Sequence, residues 1–340
     1  MDLLLPKLMS SSVIAWQEIN GNWVLLPPRP IALIHFLGGA FIAAAPQFTY
    51  RWLLEHLADQ GYAIIATPFV NTFDHWTIAR DVFTEFEQTR DRLNRLGKLR
   101  RRSLPIYGLG HSMGCKLHLL LGSALSTERA GNMFIAFNNF PATRAVPLMD
   151  QLSPLVQRME RNMQDGLGKG VNVSLPGELG QSISQSINQS VNQWLGSRRA
   201  NNQNSSRRFN PISNNLEFDP TPDETFQLIE EKYHIRRNLI VKFKTDEIDQ
   251  SRELYSIFFE RFGNLSSIQL LAGNHLTPIG QEMDLPSSAL SELGDRFNSI
   301  SNLSNSFNSL GNWVKEEIVY RDLNRLLDEL LLWLDPTLAR

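Results

Sequence analysis

Leu104-Pro105-Ile106-Tyr107-Gly108-Leu109-Gly110-His111-Ser112-Met113-Gly114-Cys115-Lys116-Leu117-His118-Leu119-Leu120-Leu121 decides how the rest of the chain is read. Residues 104–109 form a short apolar run of the kind a buried strand needs, and residues 113–121 continue as a helix. Between them stands Gly110-His111-Ser112-Met113-Gly114. A serine on so sharp a strand-to-helix turn is held in a sparsely populated backbone region, where neighbouring side chains would collide; hence the glycine on each side. The same turn sets the backbone N–H of Met113 at a helix N-terminus, where it can stabilise a developing negative charge. Five residues alone are a weak signal. A strand before them and a helix after them make the signal specific.

Outward from this turn the pattern repeats. Short apolar runs at 31–37, 62–69, 104–109, 132–137, 238–244 and 267–271 read as buried parallel strands. Stretches such as 47–60 and 73–96 carry apolar residues at helical spacing and can serve as crossovers. Strand and helix in alternation predict an α/β fold, a doubly wound and mostly parallel sheet. At the start, Asn20-Gly21 separates two short apolar stretches and accepts the positive φ angles of a two-residue turn, so 12–27 reads as an antiparallel edge hairpin. The alternation stops after Pro141, where Ser, Asn and Gln crowd in, and resumes at the helix-start signal Thr221-Pro222-Asp223-Glu224. The expected organisation is therefore a core from 1–140 and 220–340, interrupted by a helical cap insertion at 141–219, with a closing helix at 315–334.

A serine hydroxyl is a poor nucleophile near neutral pH, so a base must take its proton and an acid must orient the base. Of the seven histidines, His275 stands out, because Gly273-Asn274-His275-Leu276-Thr277-Pro278 follows the last strand and lies at the carboxyl edge of the sheet. Functional groups gather at that edge in open α/β sheets. His118, His56 and His234 read as helix residues, and His111 as a packing residue that the turn directs away from Ser112. The strand at 238–244 leads into Thr245-Asp246-Glu247-Ile248-Asp249. Asp246 is favoured as the acid because it comes first after the strand; Asp249 is better placed to cap the next helix. Glycines in His35-Phe36-Leu37-Gly38-Gly39-Ala40-Phe41 let the backbone approach a substrate oxygen, so the N–H of Ala40 or Gly39 is the expected second donor beside Met113. His35, Phe41, Asp74, His75, Asn138 and Asn139 are candidates to line the pocket, although Asp74-His75 fits a helix cap better.

Composition sets limits on partners. A formal net charge of -2, from 33 basic and 35 acidic residues spread along the chain, offers no basic field for a phosphate backbone, so nucleic acid is not an expected partner. The single cysteine, Cys115, cannot form an internal disulfide, and Met1-Asp2-Leu3-Leu4-Leu5-Pro6 is not a basic leader, which together point to the cytoplasm. No apolar stretch reaches bilayer length. Oligomeric state is not legible.

The residues above resemble those of α/β-hydrolases, and more closely the family of cyanobacterial and plastid proteins catalogued as domain of unknown function 1350. The resemblance rests on residues 35–41 with Ala45-Pro46-Gln47, Ala66-Thr67-Pro68, Phe73-Asp74-His75, Gly110-His111-Ser112-Met113-Gly114, Phe137-Asn138-Asn139-Phe140, residues 246–250 and residues 273–278. It implies an α/β-hydrolase fold and a triad in the order Ser112, Asp246, His275, which is the chain order of that fold. It lends no substrate. The expected chemistry is a serine hydrolase acting on a small-molecule ester or thioester through acyl-Ser112, with no metal or organic cofactor. A catalytically silent scaffold of the same fold is the competing expectation, since fold alone never proves activity.

Two uncharged polar stretches carry apolar stripes: Ile183, Ile187, Val191 and Leu195 in the first, and Phe297, Ile300, Leu303, Phe307, Leu310 and Val314 in the second. Such stripes suit a lid over the site, with peripheral membrane contact as the second reading. Either implies a hydrophobic acyl group.

Overall fold

A computed structural model describes residues 14–40, 42–99, 103–125, 127–142, 217–279, 311–335 and 337, with 311–319 described as backbone only. Eight strands form one sheet: β1 (Gln17–Ile19), β2 (Asn22–Leu25), β3 (Ala32–Leu37), β4 (Tyr62–Ala66), β5 (Ile106–His111), β6 (Gly131–Ile135), β7 (Asn238–Phe243) and β8 (Ser266–Leu271). Their order is β1-β2-β4-β3-β5-β6-β7-β8. From β4 to β8 all neighbours run parallel, while β1 and β2 pair antiparallel at the edge. Asn20 and Gly21 take φ of 51° and 75°, the positive pair that the Asn-Gly reading requires of this hairpin. The expected strands and the hairpin are all present.

Seven described helices flank the sheet: α1 (Pro46–Thr49), α2 (Arg51–Asp59), α3 (His75–Arg95), α4 (Met113–Ala124), α5 (Pro222–Lys232), α6 (Ser251–Phe262) and α7 (Gly311–Leu334). Side chains alternate across a strand, so each strand feeds two cores. On one face Ile34, Phe36, Leu109, Met133, Ile135 and Val241 meet Leu53, Leu54 and Leu57 of α2 and Leu323, Leu326 and Leu330 of α7. On the other face Phe134 and Ile240 meet Leu119 of α4, Ile229 of α5 and Phe258 of α6. Leu37 on that side joins Ile78 and Val82 of α3. Both faces are covered, as a parallel sheet demands. Among the described residues no helix is long and apolar enough to cross a membrane.

Two local expectations are corrected. Residues 47–60 do not form one helix; the chain breaks at Tyr50, whose φ of -118° and ψ of 18° end α1 and start α2. Tyr50 is fully buried, and its ring packs on Phe36 beneath the loop after β3, so tertiary packing overrides the helical periodicity. His234 is not on a helix: α5 ends at Lys232, and His234 N–H donates to Gly122 O while its ring meets Thr127 O. The helix start at Thr221 is as expected. The Thr221 hydroxyl accepts from Glu224 N–H and the Glu224 carboxylate accepts from Thr221 N–H, a capping box worth about 1 kcal/mol.

The ends of the stretch read as an insertion meet at a neck. Ala142 N–H donates to the Glu217 carboxylate at 2.8 Å, Asp219 bridges to Asp74 beside it, and Lys116 Nζ of α4 donates to Pro220 O at 2.9 Å. Residues 143–216, with the first apolar stripe, lie outside the described residues, as does 280–310 with most of the second. Lys116 is 2% exposed, and burial pulls its ammonium down from 10.5 to about 7, against the opposing pull of Glu217, Asp219 and Glu224. The unfolded chain therefore binds more protons than the native one between those two values, so stability should rise with pH from about 7 to about 10.5 and level off outside that window. Denaturant melts at several pH values check this: Lys116→Met should flatten the slope in that window, and an unchanged slope would put its cause elsewhere.

Candidate active site

Strand β5 delivers Ser112 at the carboxyl edge of the sheet in a strained conformation, φ 54° and ψ -117°. An L-residue seldom adopts this region, and such strain persists only where the surroundings over-determine it. They do so here. A Cβ at Gly114 would stand 2.0 Å from Leu37 O, and one at Gly110 2.7 Å from Cys115 N, so β3 and α4 close on the turn to distances that only glycine permits. Ser112 N–H donates to Ile135 O of β6, and its C=O accepts from Cys115 N–H in the first turn of α4.

Three side chains from three loops meet at this turn. Ser112 Oγ lies 2.9 Å from His275 Nε2, and His275 Nδ1 lies 2.8 Å from Asp246 Oδ2. Asp246 Oδ1 accepts in addition from Ile248 N–H. The Asn138 amide donates to Ser112 Oγ at 3.2 Å, so the hydroxyl's own proton is free for His275 Nε2. A carboxylate only accepts, which puts the imidazole proton on Nδ1. The two loops that carry Asp246 and His275 are tied together, because Thr245 N–H and Oγ both donate to Gly273 O. Burial is nearly complete: the Asp246 side chain has no exposure and that of His275 has 11%. The nearby Asp249 turns elsewhere. Its carboxylate binds Lys242 Nζ at 2.8 Å and accepts from Ser251 N–H and Oγ at the start of α6.

The sequence-derived donor loop lies against this group, with one correction. Gly39 N–H donates to Tyr50 Oη at 2.8 Å and is therefore engaged within the protein, not available to a substrate oxygen. Met113 is the first residue of α4, and a helix supplies no acceptor for its first N–H groups. The other expected pocket residues separate. Asn138 reaches the serine, as above, while Asn139 is structural, its N–H on Gln250 Oε1 and its amide on Pro222 O. His35 is withdrawn into the core under α3, stacked on Phe86 and bonded to Thr67 and Arg129; strand alternation puts it on the face of Leu33 and Leu37. Asp74 caps α3 by accepting from Thr77 N–H and Oγ, and His75 is buried against Phe218, so neither hydrogen-bonds to the serine, histidine or Asp246. Phe41 lies outside the described residues.

Two hydrogen-bonded neighbours of this group were not expected as such: beyond packing, His111 Nδ1 lies 2.7 Å from Tyr50 Oη and its Nε2 lies 2.9 Å from His275 O. Alternation along β5 held a signal for it, since Tyr107, Leu109 and His111 share the face toward α2. Nothing in the local pattern marked Tyr50, which a helical spacing had absorbed.

A mostly parallel eight-stranded sheet, a serine on a strained strand-to-helix turn, and an aspartate and a histidine on later loops at the same edge together define an α/β-hydrolase fold. The chain belongs to the family described as Protein of unknown function (DUF1350), whose model matches residues 15–336. No curated protein sequence matches it. Solved structures similar to it include the thioesterase domain from the curacin biosynthetic pathway, at 14% identity, covering 82% of this chain and 98% of that one with a TM-score of 0.41. They also include MenH from S. aureus, at 12% identity, 81% and 97% coverage and a TM-score of 0.43. A Pyrococcus furiosus esterase shares 12% identity over 81% of this chain and 82% of its own, with a TM-score of 0.40.

Proposed function

We propose that this protein is a serine hydrolase that cleaves an ester or thioester of a hydrophobic acyl group through an acyl-Ser112 intermediate. The observation that carries the reading is the unbroken hydrogen-bonded chain from Ser112 Oγ through the His275 imidazole to Asp246. In this reading Ser112 Oγ attacks the acyl carbonyl carbon as its proton passes to His275 Nε2. Asp246 stabilises the imidazolium. The carbonyl oxygen takes up negative charge at the N–H groups of Met113 and Ala40, the Gly39 N–H being engaged by Tyr50. Collapse breaks the bond to the leaving oxygen or sulfur, which takes the proton from His275. Water, giving its proton to the same nitrogen, then attacks the acyl carbon, and as the acyl–Oγ bond breaks His275 returns that proton to Ser112 Oγ, releasing the acid and free Ser112.

An apolar neighbourhood supports the acyl half of the reading. Met113, which follows the nucleophile, clusters with Leu37, Phe69 and Ile78, and the partly buried Ala40 and Trp76 pack on them. We also read 141–219 as a cap on a core formed by 1–140 and 220–340; the hydrogen bond between Ala142 and Glu217 at its neck supports that division. The test is a series of p-nitrophenyl esters of increasing acyl length. The expected result is kcat/KM rising by about tenfold or more from acetate to octanoate, since each methylene buried contributes ~0.8 kcal/mol and only part of the chain need be covered. A preference for acetate would remove the hydrophobic acyl group from the proposal. No hydrolysis of any member would favour a silent scaffold.

A further inference from the structure

Two buried residues that the acyl-transfer steps never touch connect the loop of His275 to the loop of Ala40. Tyr50 is fully buried and His111 is 1% exposed. The donors and acceptors between them leave one arrangement. A carbonyl oxygen only accepts, so the contact between His111 Nε2 and His275 O at 2.9 Å requires a proton on Nε2. A backbone N–H only donates, so Tyr50 Oη accepts from Gly39 at 2.8 Å. The tyrosine proton then goes to His111 Nδ1, 2.7 Å away. Burial opposes charge on either ring, holding the His111 imidazole well below its ordinary range and the Tyr50 phenol above its own. His111 is thus neutral with its proton on Nε2. His275 carries its proton on Nδ1, facing Asp246.

We propose that Tyr50 and His111 are positioning residues, forming one relay that sets the main chain of His275 and the Gly39–Ala40 backbone relative to each other, so that base and oxyanion donor are held in register. The inference rests on the acyl-Ser112 reading. Close approach supports it: a Cβ at Gly39 would stand 3.2 Å from His111 Nδ1 and 3.4 Å from Ser112 Cβ, so the donor loop lies directly on the relay and on the nucleophile. With the Gly39 N–H held by Tyr50, the Ala40 N–H is the donor this loop offers to substrate. Strand β5 makes the connection geometrically simple, because consecutive residues at its end point one to each purpose: His111 toward the relay, Ser112 toward the acyl group.

Two measurements on the full chain test this. Long-range proton–nitrogen NMR reads the tautomer directly, and should find His111 protonated on Nε2 with Nδ1 bare; a proton on Nδ1 overturns the relay. The second is the rate at which a fluorophosphonate modifies Ser112. Tyr50→Phe keeps the ring and loses only the hydroxyl, and should slow modification by about 10- to 100-fold, the range expected when catalytic groups are displaced slightly. His111→Gln supplies one acceptor and one donor without charge and should stay within about threefold of wild type, whereas His111→Leu, closer to a pure packing replacement, should fall with Tyr50→Phe. Equal rates for folded Leu and Gln variants, or an undiminished Tyr50→Phe rate, would leave His111 and Tyr50 as packing alone and overturn the proposal. No modification of wild-type Ser112 would instead overturn the nucleophile reading and the positioning role together, while the NMR result would still stand or fall by itself.

Discussion

Replacing Ser112 with Ala is expected to bring ester hydrolysis down by about 10⁶-fold, to what binding and the oxyanion donors alone supply. The fold should survive, because the turn is set by the approach of β3 and α4 to Gly110 and Gly114 and by the Ser112 N–H bond to Ile135, none of which needs the hydroxyl. His275→Ala should cost about as much, since the proton on Ser112 Oγ then has no acceptor 2.9 Å away. Together the two changes should cost little more than either alone. Members of one proton path act as a unit, and a step already abolished cannot be abolished again. Comparing kcat/KM for the two single variants and the double variant with one p-nitrophenyl ester checks this. Multiplied losses would give His275 a role independent of Ser112.

The second large effect separates two aspartates. Asp246→Asn should reduce turnover on the order of 10⁴-fold, as in other triads, because an amide can present its NH₂ to His275 Nδ1 and stabilise the wrong tautomer. Asp249→Asn should leave turnover within about threefold of wild type and instead lower stability by about 1–3 kcal/mol, through loss of the charged partner of the mostly buried Lys242. Steady-state rates and denaturant melts of the two variants read both halves. A rate loss in Asp249→Asn as large as that in Asp246→Asn would show that the acid is not Asp246 alone.

Much of this was legible in the chain itself, for physical reasons that differ by element. Strands within 132–137 and 238–244 announce themselves because both their faces are buried, so 133–137 and 239–241 read as continuous apolar runs. The turn at Ser112 is legible because its geometry admits so few residue types at Gly110 and Gly114. Asp246 and His275 could be selected by their positions just beyond strands, where the sheet still holds the backbone. Tyr50, by contrast, interrupts a helix for a tertiary reason, the need to place a phenol beneath Gly39, and local spacing contains no trace of that. His35 misled for a related reason. Its place at the head of the glycine-containing stretch 35–41 suggested a pocket residue, but His35 lies within β3 and strand alternation turns it toward Phe86 and Arg129 in the core.

The position of His111 shows how one residue step changes a role. Its ring points away from Ser112, as the turn requires, yet it reaches the backbone of the very residue that serves as base in this reading. Packing and chemistry are joined there: the face of β5 that builds the core with Leu109 ends in the hydrogen bond that fixes the His275 loop.

If Ser112 is a nucleophile activated by His275, a fluorophosphonate should react with it, and peptide mass spectrometry of the treated chain maps the adduct. One modified serine, Ser112, is expected, with the adduct absent from Ser112→Ala and nearly absent from His275→Ala. An unmodified wild-type chain, or an adduct on another serine that persists when Ser112 is replaced, would contradict it.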